Sequence, residues 1–298
     1  MTTNVATKYQ LDKSTLLKKA RAKYLSKSLA VKLLQHNKDS FLTKSYYGSL
    51  LCTHYLNQSG KTLTTKYCKQ RWCAVCNRIR TAHFILGYEE ELKTFKNPYF
   101  VTLTRPTVVE TDLVASIDLM GSVWREIMKT WENKKRKVKG IRKAECTIRP
   151  NDLYHYHFHV IIEGKENAEW LLKEWLKRMP KANPKAQDMR KANERSLKEL
   201  FKYFTKLTTK VGDKKELFSY ARMDVIFRAM YKKRVFQPFG GVKLFSEEIE
   251  DVTAQEYEHL EACEKVWKWS VDDWIDEWGE CLTGYTPSEE FKKFFNGF

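Results

Sequence analysis

The sequence predicts an α+β fold, a central antiparallel β-sheet with flanking helices, preceded by a small cysteine-rich region. Three observations predict it. Between residues 99 and 207 the patterns run strand, helix, strand, strand, helix, helix, which suits a sheet with helices packed on one face. Two of the strand patterns flank Pro150-Asn151-Asp152-Leu153, a turn sequence that makes them a hairpin. Upstream, Cys52, Cys68, Cys73 and Cys76 crowd into one short stretch.

Composition bounds what the chain can be. Its 298 residues, 42% hydrophobic, can bury one large core or two to three smaller ones. No stretch approaches a membrane span, and Met1 to Gln10 lacks the apolar core of a signal peptide, so the expectation is a cytoplasmic protein without a membrane partner. Seven cysteines without a secretory signal argue for reduced thiols or metal ligands rather than disulfides. The net charge of +17 is uneven: Ser246 to Phe298 holds 15 acidic and 4 basic residues, which leaves residues 1 to 245 with 50 basic against 22 acidic. A surplus of that size is the footprint of a polyanion partner, and nucleic acid is favoured over a membrane surface.

Each element has its own justification. From Ser14 to Gln35 the leucines recur at helical spacing among lysines and arginines, giving a helix whose basic face meets phosphates or solvent. The cysteine-rich segment follows, then a helix over Asn77 to Phe95, closed by Asn97-Pro98. Tyr99 to Thr104 is aromatic and β-branched, hence a strand, and Asp112 to Lys134 returns to helical spacing. Ala144 to Arg149 and the segment beginning at His155 form the hairpin. Helical patterns return over Asn167 to Arg178 and Arg190 to Leu207, interrupted by Pro180 and Pro184. Met223 to Phe245 is apolar around the turn Pro238-Phe239-Gly240-Gly241. In the acidic C-terminal segment, Trp267, Trp274 and Trp278 are spaced by seven and four, which places them on one helix face packed against the body.

Two groups of residues carry chemistry. Cys68-x4-Cys73-x2-Cys76, completed by Cys52 or with His54 as its substitute, offers the soft tetrahedral set that structural zinc prefers; Cys52 is the favoured fourth ligand. In His155-Tyr156-His157-Phe158-His159 the alternation of a strand sends all three imidazoles to one side, a divalent-metal site built on His157 and His159. A turn centred on Asn151 and Asp152 puts Glu145 opposite His159 and Thr147 opposite His157, so Glu145 and His155 compete for third ligand. Further along, Glu199, Tyr203 and Lys206 share one helical face. A phenol titrates near pH ~10, so Tyr203 needs a cation such as Lys206 to attack as a nucleophile, and Glu199 can serve as general base.

On these residues the chain resembles the rolling-circle replication initiators of small bacterial plasmids, members of the HUH endonuclease superfamily. Phe100 to Thr104 is similar to the family's first motif strand, His157-Phe158-His159 to its metal motif, and Tyr203 with Lys206 to its tyrosine motif. Cys68, Cys73 and Cys76 resemble the cysteine cluster of the single-tyrosine branch, and Lys233-Arg234 through Gly240-Gly241 its downstream segment; the similarity spans about residues 45 to 245. Tyr156 stands where the family often has proline, and the acidic tail has no counterpart. The resemblance implies the HUH endonuclease fold, with a zinc-binding region and helix over 46–96 and the catalytic domain over 97–245. A basic helical segment over 1–45 and an acidic, Trp-rich helical segment over 246–298 flank them. It also implies Mg2+ or Mn2+ on His157, His159 and either Glu145 or His155, structural Zn2+ on the cysteines, and attack by Tyr203 on single-stranded origin DNA to form a 5′-phosphotyrosyl link. Glu199 occupies the place of the family's activating carboxylate. The implied partners are origin DNA, a host helicase and a DNA polymerase, and a homo-oligomer is left open. A single-tyrosine transposase and a non-catalytic zinc-containing DNA-binding regulator are the alternatives.

Overall fold

The computed structural model describes residues 13–60, 62–134, 138–193, 196, 199–200, 208–211, 214–217, 219–243 and 264–296. The chain divides into two units, Met1–Arg80 with Ser246–Phe298, and Thr81–Phe245. Tyr203, Lys206 and Cys263 lie outside the described residues. No helix among the described residues is long and apolar enough to cross a membrane.

The first unit begins with α1 (Lys13–His36) and α2 (Thr43–Leu51), followed by β1 (Tyr55–Ser59) and β2 (Thr62–Thr64). Strands β10 (Lys265–Trp269) and β11 (Trp274–Ile275) from the C-terminal segment join them in a sheet of order β11-β10-β1-β2. This corrects the helical reading of the tryptophans, though a helix does follow them at Glu289–Asn296: Trp267 and Trp274 lie on strands, and Trp278 is exposed. The physical reason is visible in Lys265-Val-Trp-Lys-Trp269, where burial alternates residue by residue, the period of a half-buried strand. Trp267, Trp269 and Trp274 form the core with Leu56, Leu63 and Ala20 of α1. Trp274 donates its indole N–H to the Thr53 carbonyl at 2.8 Å, so the core tryptophan is also polar-satisfied. Buried Asp273 closes the segment by accepting from the main chain of Trp274, Thr283 and Gly284.

The second unit is a five-stranded antiparallel sheet of order β6-β3-β5-β4-β9, with β3 at Pro98–Thr104, β4 at Gly140–Arg149, β5 at Leu153–Glu163, β6 at Asp188–Lys191 and β9 at Phe236–Phe239. A separate hairpin pairs β7 (Thr208–Val211) with β8 (Lys214–Leu217). One face of the central strand β5 is apolar and lies under two helices: Phe158 meets Trp124 of α4 (Glu110–Asn133) and Trp175 of α5 (Lys165–Arg178) edge-on at 5.9 and 5.8 Å. In α4 the buried residues Leu113, Ile117, Met120, Trp124, Ile127 and Trp131 recur at three and four, and Glu110 and Asp112 in its first turn suit the positive end of the helix dipole. The opposite face is not open throughout. Ile161, Phe100 and Ile141 there pack with Tyr88 and Leu92 of α3 (Ala74–Lys93) and with Leu200, so helical residues cover both faces rather than one.

Residues 188–191 also depart from expectation. They form an edge strand on β3, and the helical residues Ser196, Glu199 and Leu200 come after Asn193, whose side chain accepts from Ser196 N at 3.0 Å like a helix cap. At the far edge the Gly240 backbone has φ +69°, and a Cβ there would stand 1.7 Å from the Val138 carbonyl oxygen. Only glycine fits that approach.

Candidate metal centres

The hairpin β4–β5 builds the first centre. Arg149 pairs with Leu153 around a three-residue loop in which Asn151 and Asp152 both take positive φ, so Glu145 stands opposite His157 and Thr147 opposite His155. The expected register, Glu145 opposite His159, is therefore off by two residues. Since side chains alternate with a period of two, the face is preserved and the carboxylate still joins the histidines.

Glu145, His157 and His159 each offer one ligand atom, all within 4.8 Å of one another. His157 Nδ1 lies 3.2 Å from the His155 carbonyl. A carbonyl only accepts, so Nδ1 carries the proton and the Nε2 lone pair of His157 is directed to His159 Nε2 at 3.2 Å. His159 is oriented in turn by Thr102, whose hydroxyl is 3.2 Å from its Nδ1, and its Nε2 lies 3.6 Å from the Glu145 carboxylate. Two imidazole nitrogens and a carboxylate converging on one point are a donor set for a divalent cation, and the group could bind a catalytic metal. Burial pushes His157 down to about 3, which keeps the imidazole neutral and ligating at physiological pH. Burial alone would raise Glu145, but the hydrogen bond with His159 and the charge of Lys143 hold its carboxyl well below the usual range.

His155 stays outside this group. Its ring stacks on His157 at 4.9 Å, its Nδ1 faces the Arg149 guanidinium at 3.3 Å, and burial with the Arg149 charge lowers it to about 4. Together with Thr104, Arg105 and Arg149 it lines a cavity of about 250 Å3.

Lys143 was not singled out in the sequence, and it is central here. It is fully buried, its ammonium is 3.0 Å from the Glu145 carboxylate, and it donates to the Glu199 carbonyl at 3.2 Å. The signal was present as Lys143-x-Glu145, two opposite charges of equal parity on one strand. Through Lys143 the main chain at Glu199 is tied to the carboxylate of the metal group; Glu199 itself is half-buried.

The second centre is in the first unit. Cys52 follows α2, Cys68 and Cys73 lie in the connection to α3, and Cys76 is in its first turn; their four sulfurs lie within 4.8 Å of one another. Cys76 Sγ is 3.5 Å from Cys52 Sγ and 3.6 Å from Cys68 Sγ. Tetrahedral zinc with Zn–S bonds of about 2.3 Å requires edges of about 3.8 Å, so the cluster could hold a metal such as zinc with little adjustment. His54 is not part of the group; its ring stands edge-on to Tyr55. Cys146 is buried, whereas Cys281 is exposed.

The fold and these two groups define an α+β protein with one centre suited to a catalytic metal and another suited to zinc. Residues 59–177 match the family described as "Replication protein". The match supports a plasmid replication initiator, as the motif resemblance implied. It contains Cys68, Cys73, Cys76, Glu145 and the three histidines, and ends before Glu199. No curated protein and no solved structure matches the chain.

Proposed function

We propose that the chain is a rolling-circle initiator that nicks and rejoins single-stranded origin DNA through a covalent tyrosine intermediate. The observation that carries this reading is the convergence of Glu145, His157 and His159 on one face of the sheet, tied through Lys143 to the main chain at Glu199, four residues before Tyr203 in the sequence. Glu145, His157 and His159 would hold Mg2+ or Mn2+, and the bound ion supplies Lewis-acid polarisation of the scissile phosphate.

The remaining steps belong to side chains. Tyr203 Oη gives up its proton to solvent and forms a bond to phosphorus as the P–O3′ bond breaks, and the leaving 3′-oxygen takes a proton from solvent, giving a 5′-phosphotyrosyl ester and a free 3′-hydroxyl that a polymerase extends. Lys206 stabilises the phenolate before attack and the departing phenolate on reversal. For rejoining, Glu199 takes the proton of an incoming 3′-hydroxyl, which displaces Tyr203 without ATP because the phosphoester has been conserved. The zinc-holding unit and the basic surplus of residues 1–245 grip DNA phosphates.

The test is a denaturing gel of the full chain with labelled single-stranded DNA from its replicon and Mn2+. Wild type forms a protein–DNA adduct, Tyr203→Phe does not, and chelation abolishes it. DNA bound by wild type without any adduct would favour the non-catalytic regulator.

A further inference from the structure

The buried stripe of α1 comprises Ala20, Lys23, Ser26, Leu29, Ala30 and Leu33. Two of its members are polar, and both are turned to the cysteine cluster rather than to solvent. Lys23 has 0% exposure, and its ammonium donates to the carbonyls of Leu50 at 2.9 Å and Cys52 at 2.5 Å, the main chain that presents the first cysteine. Among the described residues no carboxylate forms an ion pair with it, so its ammonium is held by the main chain of the turn that carries Cys52. Its other neighbour is the face of Trp269, 5.9 Å away.

Ser26 sits three residues on. Its Oγ accepts from the main-chain N–H groups of Ala74 at 2.8 Å and Val75 at 3.3 Å, the first residues of α3. With both lone pairs engaged, its proton is left for Cys73 Sγ, 3.4 Å away. One hydroxyl thus caps the free N–H groups of α3 from a different helix and donates to a cysteine sulfur.

We propose that α1 completes the metal centre, with Lys23 as its compensating cation and Ser26 as a sulfur-directed hydrogen-bond donor. The inference rests on the reading of the four cysteines as a zinc site. A divalent ion held by four thiolates leaves two negative charges in a buried place, and a buried anion without a counter-charge is costly. Lys23 supplies one positive charge at the ligand-bearing turn. Ser26 withdraws electron density from Cys73 and fixes its rotamer, the role that outer-shell groups have at metal sites. The basic helix of the sequence therefore has an inward task at Lys23, separate from any contact its exposed lysines make with phosphate.

The experiment measures zinc content and zinc transfer to a chromophoric chelator, using the full chain purified with zinc as wild type, Lys23→Met, Lys23→Arg and Ser26→Ala. Lys23→Met and Ser26→Ala should hold zinc roughly 10–100-fold less tightly and release it faster, the loss usual for outer-shell changes, while Lys23→Arg stays nearer wild type. Wild-type affinity and transfer rate in both Lys23→Met and Ser26→Ala would overturn the inference while leaving the zinc reading intact. A wild-type protein that retains no zinc overturns both. Should Lys23→Met fail to fold, Ser26→Ala, which removes a single hydroxyl, decides by the same two numbers.

Discussion

Replacing Lys143 by methionine removes the buried cation that faces Glu145 while preserving most of its volume. The two groups are 3.0 Å apart with side chains 0% and 4% exposed. At an effective dielectric constant of 20 such a contact corresponds to a Coulomb attraction of about 5 kcal/mol, and truncating one member of a buried pair typically destabilises by about 3–5 kcal/mol because the other charge is stranded. Only the apo protein should show the full loss, since a divalent cation on Glu145, His157 and His159 supplies a replacement positive charge. The assay is scanning calorimetry with and without Mn2+, with the relevant transition assigned by hydrogen exchange of β4 and β5 peptides. At roughly 2–4 °C per kcal/mol for a unit of this size, apo Lys143→Met should melt about 10 °C lower than apo wild type, with a larger stabilisation by Mn2+. The double variant Lys143→Met/Glu145→Gln should recover much of the loss. A single variant that melts within about two degrees of wild type, equally with and without metal, would refute the role given to the pair.

Other consequences are separable. Glu145→Gln, His157→Ala and His159→Ala should each weaken Mn2+ binding measured by calorimetric titration by about tenfold or more, while His155→Ala, outside the donor set, leaves it nearly unchanged. Gly240→Ala should destabilise the Thr81–Phe245 unit by more than about 1 kcal/mol in denaturant titration, because a Cβ would meet the Val138 carbonyl at 1.7 Å in a left-handed backbone. The apo protein should also lose stability on acidification. Folded His157 and His155 are depressed to about 3 and about 4 against an ordinary 6.5, so between those values the unfolded chain binds more protons. Stability therefore rises with pH from about 3 to about 6.5, and melting curves of chelator-treated protein that are flat over that range would contradict the assignment.

How far the sequence revealed this arrangement depended on which signal each element carried. The histidine strand was legible because its period of two separates His155, His157 and His159 from Tyr156, Phe158 and Val160, and the structure keeps that separation. Its register was not, because the three-residue loop with positive φ at Asn151 and Asp152 shifts the pairing by two without changing the face. Asp188–Lys191 carries no alternation of its own and becomes a strand through pairing with β3. The C-terminal tryptophans suggested a helix by their spacing alone, yet Val266 and Lys268 between them mark the exposed face of a strand whose partner, β1, is some 200 residues earlier. Lys23 and Lys143 were hidden for a common reason. A lysine reads as a solvent-facing residue unless its partners are known, and those partners are a cysteine turn 29 residues away and a carboxylate two residues along a strand.

The most direct test of the central claim is to identify the residue that carries DNA in the covalent adduct. Wild-type protein is incubated with single-stranded replicon DNA and Mn2+, digested with nuclease and trypsin, and the nucleotide-bearing peptide is sequenced by mass spectrometry. The prediction is a 5′-phosphorylated nucleotide on Tyr203 within the peptide Tyr203-Phe204-Thr205-Lys206. Attachment to a different residue, or an adduct that persists in His157→Ala/His159→Ala, would contradict it.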